Sequence, residues 1–162
     1  MKDLLKVVAG VLVGMGLSKL RAKEIAIDER LNEMNSKADP TIADELEVRS
    51  LDDIVRIVGS LKYVSNDFFD VVKDPRQMII DGGGDCEDFA VLTYSLLLKL
   101  HSEGLLPKPH LAVAYCDTKS EAHAFTYFYD GKYHIFSNEQ YLIRDSLKEF
   151  LSEIGDEHVR VL

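Results

Sequence analysis

Three consecutive glycines, Gly82-Gly83-Gly84, run straight into Asp85-Cys86, and the segment that follows constrains the whole chain. Phe89, Ala90, Leu92, Leu96, Leu97 and Leu100 cover more than one face of a helix that begins at Asp85-Cys86 and stops at Gly104. A helix that is apolar on several sides must be surrounded, so the rest of the chain has to supply layers around it. At 162 residues, 46% of them apolar, there is enough chain for one full core and too little for two large ones. Upstream, Ser50-Leu51-Asp52-Asp53 has the form of a helix cap, and Leu51, Ile54, Val55, Val58 and Leu61 recur at helical spacing. Ser65-Asn66-Asp67 reads as a turn, and Asp74-Pro75 opens a short helix reaching about Ile80. Downstream, residues 111–116, 123–129 and 132–138 are rich in aromatic and β-branched side chains and read as strands. A short helix over 145–154 ends at Gly155, and 158–162 forms a last strand. Helices first and strands after predict an α+β fold with an antiparallel sheet.

Residues 1–27 carry five basic and two acidic side chains, net +3, whereas the whole chain is at −9 and the remaining 135 residues are therefore at −12. A chain this acidic gains nothing from counterion release on nucleic acid, so no nucleic-acid partner is expected. The uncharged stretch 7–18 is too short for a bilayer, which needs ~20 apolar residues. Three readings compete for this region: a long helix docked on a protein partner, a signal or membrane anchor, or a helix lying on the chain's own core. Asp39-Pro40 closes it, because a residue before proline disfavours the helical well. The expected division is an N-terminal helix over 1–39 and a domain over 40–162.

Asp130-Gly131 is a strong hairpin signal, and a two-residue type I′ turn there sets Tyr129 opposite Lys132. That register sets His123 opposite Asn138 on one sheet face, where an amide can orient an imidazole. The same pair read without other evidence is a cross-strand polar contact with no chemistry. Cys86 adds the other half of a reactive site. A thiol in the first turn of a buried helix faces free N–H groups and the positive end of the helix dipole, which lower its pKa and favour an oxyanion. Asp85, Glu87 and Asp88 pull the other way: they point outward, cap the helix or bind a cation. Cys116, mid-strand with no basic neighbour, reads as an inert buried cysteine. Gln77 and Asn66 are candidate second oxyanion donors, with no spacing that singles out either. His101, His110, His134 and His158 lack metal-binding spacing and receive no role.

Gly84-Asp85-Cys86-Glu87-Asp88-Phe89-Ala90 closely resembles the nucleophile segment of the bacterial transglutaminase-like cysteine proteases. His123-Ala124-Phe125, the Asp-Gly hairpin and Asn138 are similar to the rest of that family's Cys-His-Asp site, in the papain-like order, over roughly residues 50–140. The resemblance implies a papain/transglutaminase-like fold, with a Cys-bearing central helix on an antiparallel sheet and the long N-terminal helix added. It implies Cys86 as nucleophile, His123 as base and then acid, and Asn138 as the orienting residue where the family has Asp. An Asn orients an imidazole but cannot stabilise its cation by charge, which makes a slower or retired enzyme the competing expectation. The implied reaction is acyl transfer from a peptide or protein substrate, with no cofactor required. Asp85 and Glu87 match positions at which adhesin-cleaving periplasmic members bind calcium. The compartment is left open, between a secreted or periplasmic setting and assembly into a larger particle. The alternative is a structural subunit, docked through its N-terminal helix into a larger assembly such as a virion or envelope complex.

Overall fold

The computed structural model describes residues 2–65 and 71–162, with side chains from Gly16 onward. Asn66 and Asp67 of the expected turn lie outside the described residues. The first element is a single long helix, α1 (Lys2–Lys37), which ends just before Asp39-Pro40. Ile27, Leu31 and Met34, spaced to share one helix face, are buried in a cluster with Cys86, Val91, Val113 and Ala124. The C-terminal half of α1 is therefore covered by the chain's own core, the third of the expected readings. No described helix is long and apolar enough to cross a membrane.

A short α2 (Ile42–Glu45) leads to α3 (Leu51–Ser60), where the Ser50 side chain accepts from the Asp53 N–H as the capping pattern predicted. Strand β1 (Lys62–Tyr63) precedes α4 (Pro75–Asp81), which is capped by Asp74. The glycines then form β2 (Gly83–Gly84), paired parallel to β1 with Tyr63 beside Gly84. Helix α5 (Cys86–Ser102) follows, with Phe89, Leu92, Leu96, Leu97 and Leu100 buried against α2, α3 and the sheet. Burying each of these side chains contributes on the order of 2 kcal/mol.

The second half supplies β3 (His110–Tyr115), β4 (Ala122–Tyr129), β5 (Tyr133–Ser137), β6 (Gln140–Arg144), α6 (Leu147–Ile154) and β7 (His158–Val161). They form a five-stranded sheet in the order β6-β5-β4-β3-β7, antiparallel throughout. Alternation along β4 divides the core. Ala124 and Phe128 face the α1–α5 side, and Thr126 donates to the Ala90 carbonyl at 2.9 Å, while Phe125 and Tyr127 pack with Phe150 of α6. The α+β fold with a cysteine-bearing helix packed on an antiparallel sheet is as expected.

Within the five-stranded sheet, two features differ from the sequence reading. β6 occupies a stretch to which no element was assigned. The β4–β5 loop has three residues rather than two: Tyr129 pairs with Tyr133 and Thr126 with Phe136. Gly131 adopts φ +117°, the Asp130 N–H donates to the Lys132 carbonyl at 3.2 Å, and the Asp130 carboxylate takes the Lys132 N–H at 3.3 Å. The Asp-Gly pair thus starts the loop instead of filling it, and every β5 partner moves by one residue.

Candidate active site

The site is built at the leading end of α5. The Asp85 carboxylate caps the helix, accepting from the N–H groups of Glu87 at 3.0 Å and Asp88 at 3.2 Å, and Asp88 returns a bond to the Asp85 N–H at 3.2 Å. The other Asp88 oxygen takes the Lys73 N–H at 2.8 Å. Glycine is required because backbone and cap crowd together. A Cβ on Gly83 would lie 2.0 Å from the Lys62 carbonyl oxygen, and one on Gly84 would lie 2.3 Å from the Asp88 carboxylate.

Cys86 is 8% exposed, and the Ala124 N–H of β4 is directed at its thiol. Burial pushes that thiol up to about 12; the Ala124 N–H opposes this, and the charges of Asp85 and Glu87 add to it. The lowering expected from the helix start is thus outweighed by desolvation. Ala124 follows His123 in the chain, so the sulfur meets the backbone of β4 there, while the imidazole shares the α6-facing side of the strand with Phe125 and makes no hydrogen bond to the thiol. His123 is half-buried, its ring lies nearly parallel to Phe125, and its Nε2 shares a 2.8 Å hydrogen bond with Ser137 Oγ. Burial holds its imidazole down to about 4. At neutral pH the resting groups are therefore a thiol and an uncharged imidazole.

The expected pairing of His123 with Asn138 is corrected by the register. Asn138 lies in the two-residue turn between β5 and β6, with φ +52°, a left-handed conformation that Asn tolerates. Its buried Oδ1 has no hydrogen-bond partner among the described residues. The contact assigned to Asn138 is made by its neighbour Ser137, which a one-residue shift brings to the histidine's side of the sheet.

The flanking carboxylates are occupied. Arg30 of α1 grips Glu87 with two nitrogens, Nε to Oε1 at 2.6 Å and Nη2 to Oε2. Burial lifts the Glu87 carboxyl against the pull of that guanidinium. With Glu87 held by Arg30 and Asp85 serving as the cap, the two residues expected to bind calcium are already engaged. Among the described residues no group of three or more His, Cys, Asp or Glu side chains is arranged to hold a metal ion.

Gln77 is exposed on α4 and donates its amide to Asp81 at 2.7 Å; Asn66 lies outside the described residues. Tyr63, next to Gly84, was not anticipated. Partial burial raises its phenol, with a smaller contribution from Cys86, and its pairing with Gly84 sets it two residues from the start of α5. No sequence signal marks it, because the β1–β2 pairing is two residues long. Cys116 is buried and bonded to Thr118 Oγ1 at 3.2 Å.

Solved structures of LapG from Legionella pneumophila are similar to this chain. The calcium-bound form matches at 24% identity with a TM-score of 0.43, covering 69% of this chain and 63% of that one. A second LapG structure matches at 24% identity with a TM-score of 0.45 and the same coverage. An EGTA-treated form matches at 23% identity with a TM-score of 0.42, covering 69% and 61%. The match thus spans less than two thirds of the LapG chains. No curated protein sequence matches. A family model described as a transglutaminase-like domain matches residues 24–161, which takes in the buried half of α1 together with α5 and every strand of the sheet. By that match, over most of its length, this chain belongs to the transglutaminase-like domain family.

Proposed function

We propose that this domain hydrolyses peptide or amide bonds in a protein substrate through a cysteine nucleophile. The observation that carries the reading is the junction of α5 and β4, where the thiol of Cys86 meets the N–H of Ala124 beside His123, whose ring is held through Nε2 by Ser137. With Nε2 taken by Ser137, Nδ1 is the ring nitrogen that this reading assigns to the thiol. His123 Nδ1 takes the Cys86 proton as sulfur attacks the carbonyl carbon, and the C–S bond forms as charge moves to oxygen. Asp85 already binds the N–H groups of Glu87 and Asp88, so the Cys86 N–H is the first-turn donor for that oxyanion. His123 returns the proton to the leaving amine as the C–N bond breaks. Water, deprotonated by the same ring, then cleaves the thioester to acid and thiol. Because both groups rest uncharged, the chemistry depends on His123 as base rather than on a standing thiolate.

A groove of about 580 Å³ between α1 and the β3–β4 connection is lined by Leu17, Leu20, Lys23, Ile27, Lys119 and Ala122. Ala122 adjoins His123, and Ile27 shares a cluster with Cys86, which favours this groove as the seat of an apolar peptide segment. Incubation with a mixed peptide library followed by mass spectrometry of new termini tests the function. New termini with the wild type and none with Cys86→Ala are expected; identical digests overturn the reading.

A second reading keeps the fold as a subunit of an assembly. Leu17 and Ile25, 63% and 51% exposed on α1, favour it. Size measurement of the full chain and of one lacking residues 1–15 tests it: a monomer in both cases ends it, and an assembly lost on truncation supports it.

A further inference from the structure

We propose that Arg30 supplies the positive charge required by the leading end of α5, in the place of a bound divalent cation, so that α1 is part of the catalytic centre and calcium is not. The proposal deepens the reading of Cys86 as nucleophile and rests on it only for the word catalytic.

Asp85, Glu87 and Asp88 are 5%, 1% and 1% exposed, three carboxylates brought within one turn of the thiol and withdrawn from water. A buried charge survives only when paired and hydrogen-bonded. Asp85 and Asp88 are satisfied by N–H groups of α5's first turn and of Lys73. Glu87 has no such backbone partners, and its demand is met from another helix. Arg30 is itself 8% exposed, lies on the buried stripe of α1 with Ile27, Leu31 and Met34, and presents the Nε–Nη2 edge of its guanidinium to both Glu87 oxygens. Its Nη1 donates to Glu33 at 2.6 Å, which fixes the fork from behind.

Calcium takes six to eight oxygen ligands at roughly 2.3–2.6 Å. Here both oxygens of Glu87 are held by a guanidinium and one oxygen of Asp85 serves the helix cap, so a cation that used both residues would have to evict Arg30. Arg30 acts through Glu87 and is a positioning residue: without it, an unpaired buried carboxylate turns toward water and takes the neighbouring Cys86 with it.

The test compares the wild type with Arg30→Lys, Arg30→Met and the double variant Arg30→Met/Glu87→Gln, each in millimolar calcium and in EGTA. Thermal unfolding and the iodoacetamide rate at Cys86 are read by peptide mapping, with Cys116 as the internal reference. The account predicts a wild type indifferent to calcium, with no calcium binding by calorimetry. It predicts a lower Tm and a several-fold slower Cys86 in Arg30→Met, partial rescue in Arg30→Lys, and recovery of more than half the loss when Glu87→Gln removes the unpaired charge. Calcium that raises the wild-type Tm or rate overturns the proposal, as does an Arg30→Met protein equal to wild type or a double variant no better than the single. Should Arg30→Met not fold, the wild-type calcium arms and Arg30→Lys decide. A domain that cleaves no peptide but gives these unfolding and calcium results loses the peptidase reading and keeps the Arg30 assignment.

Discussion

Gly84→Ala is a one-carbon change whose cost can be worked from the geometry. The added Cβ would sit 2.3 Å from Asp88 Oδ2, 2.6 Å from Asp88 Cβ and 2.9 Å from its Cγ, so Asp88 must move. Moving it breaks its bonds to the Asp85 and Lys73 N–H groups, at 3.2 and 2.8 Å. Loss of a capping contact costs about 1 kcal/mol, a buried N–H left open about 1–3 kcal/mol, and forced repacking about 1–3 kcal/mol. The sum is roughly 4 kcal/mol, or ~10 °C of melting temperature for a domain of this size. Gly82→Ala is the control: φ is +74° and no atom lies within 4 Å of the new Cβ, leaving only the left-handed penalty of about 1–2 kcal/mol. Thermal melts followed by far-ultraviolet circular dichroism compare the two. A Gly84→Ala protein that melts within a degree or two of Gly82→Ala refutes the crowding argument.

Other substitutions probe the remaining layers. Leu96→Ala, at a fully buried site on α5, lowers urea stability by about 2–5 kcal/mol; a loss under 1 kcal/mol contradicts the central position of that helix. His123 makes stability fall with acid. Above its ordinary value of 6.5 the ring is neutral folded and unfolded; below it the unfolded chain takes up a proton while the folded ring stays neutral down to about 4. The loss grows through that window to about 2–3 kcal/mol and then levels, and urea midpoints of His123→Gln lack this component; equal acid slopes in the two proteins speak against a buried neutral ring. Ser137→Ala slows Cys86 labelling whereas Asn138→Gly leaves it unchanged, and the reverse order restores the two-residue hairpin.

Local chemistry made much of this fold readable. Ser50, Asp74, Asp85 and Ser146 each cap the helix they precede, and Gly82 and Gly155 end helices in left-handed conformations. The cysteine on a buried helix and the histidine on the adjoining strand followed from a motif and a strand pattern. What failed depended on non-local geometry. A one-residue difference in loop length decided whether Asn138 or Ser137 reached the imidazole, and Asp-Gly is compatible with both loops. Arg30 could not be matched to Glu87 because they are 57 residues apart and on different helices. Tyr63 reaches the site through two-residue strands too short to leave a periodic pattern.

The central claim is that Cys86 and His123 act together. The iodoacetamide rate at Cys86, measured from pH 3 to 9 with Cys116 as reference, tests it most directly. Since burial holds the imidazole down to about 4, wild-type labelling rises as the ring loses its proton near that pH. His123→Ala removes the rise and at least ~100-fold of the rate at neutral pH. A Cys86 that labels equally fast with and without the imidazole, on the ordinary alkaline curve of a free thiol, contradicts the account.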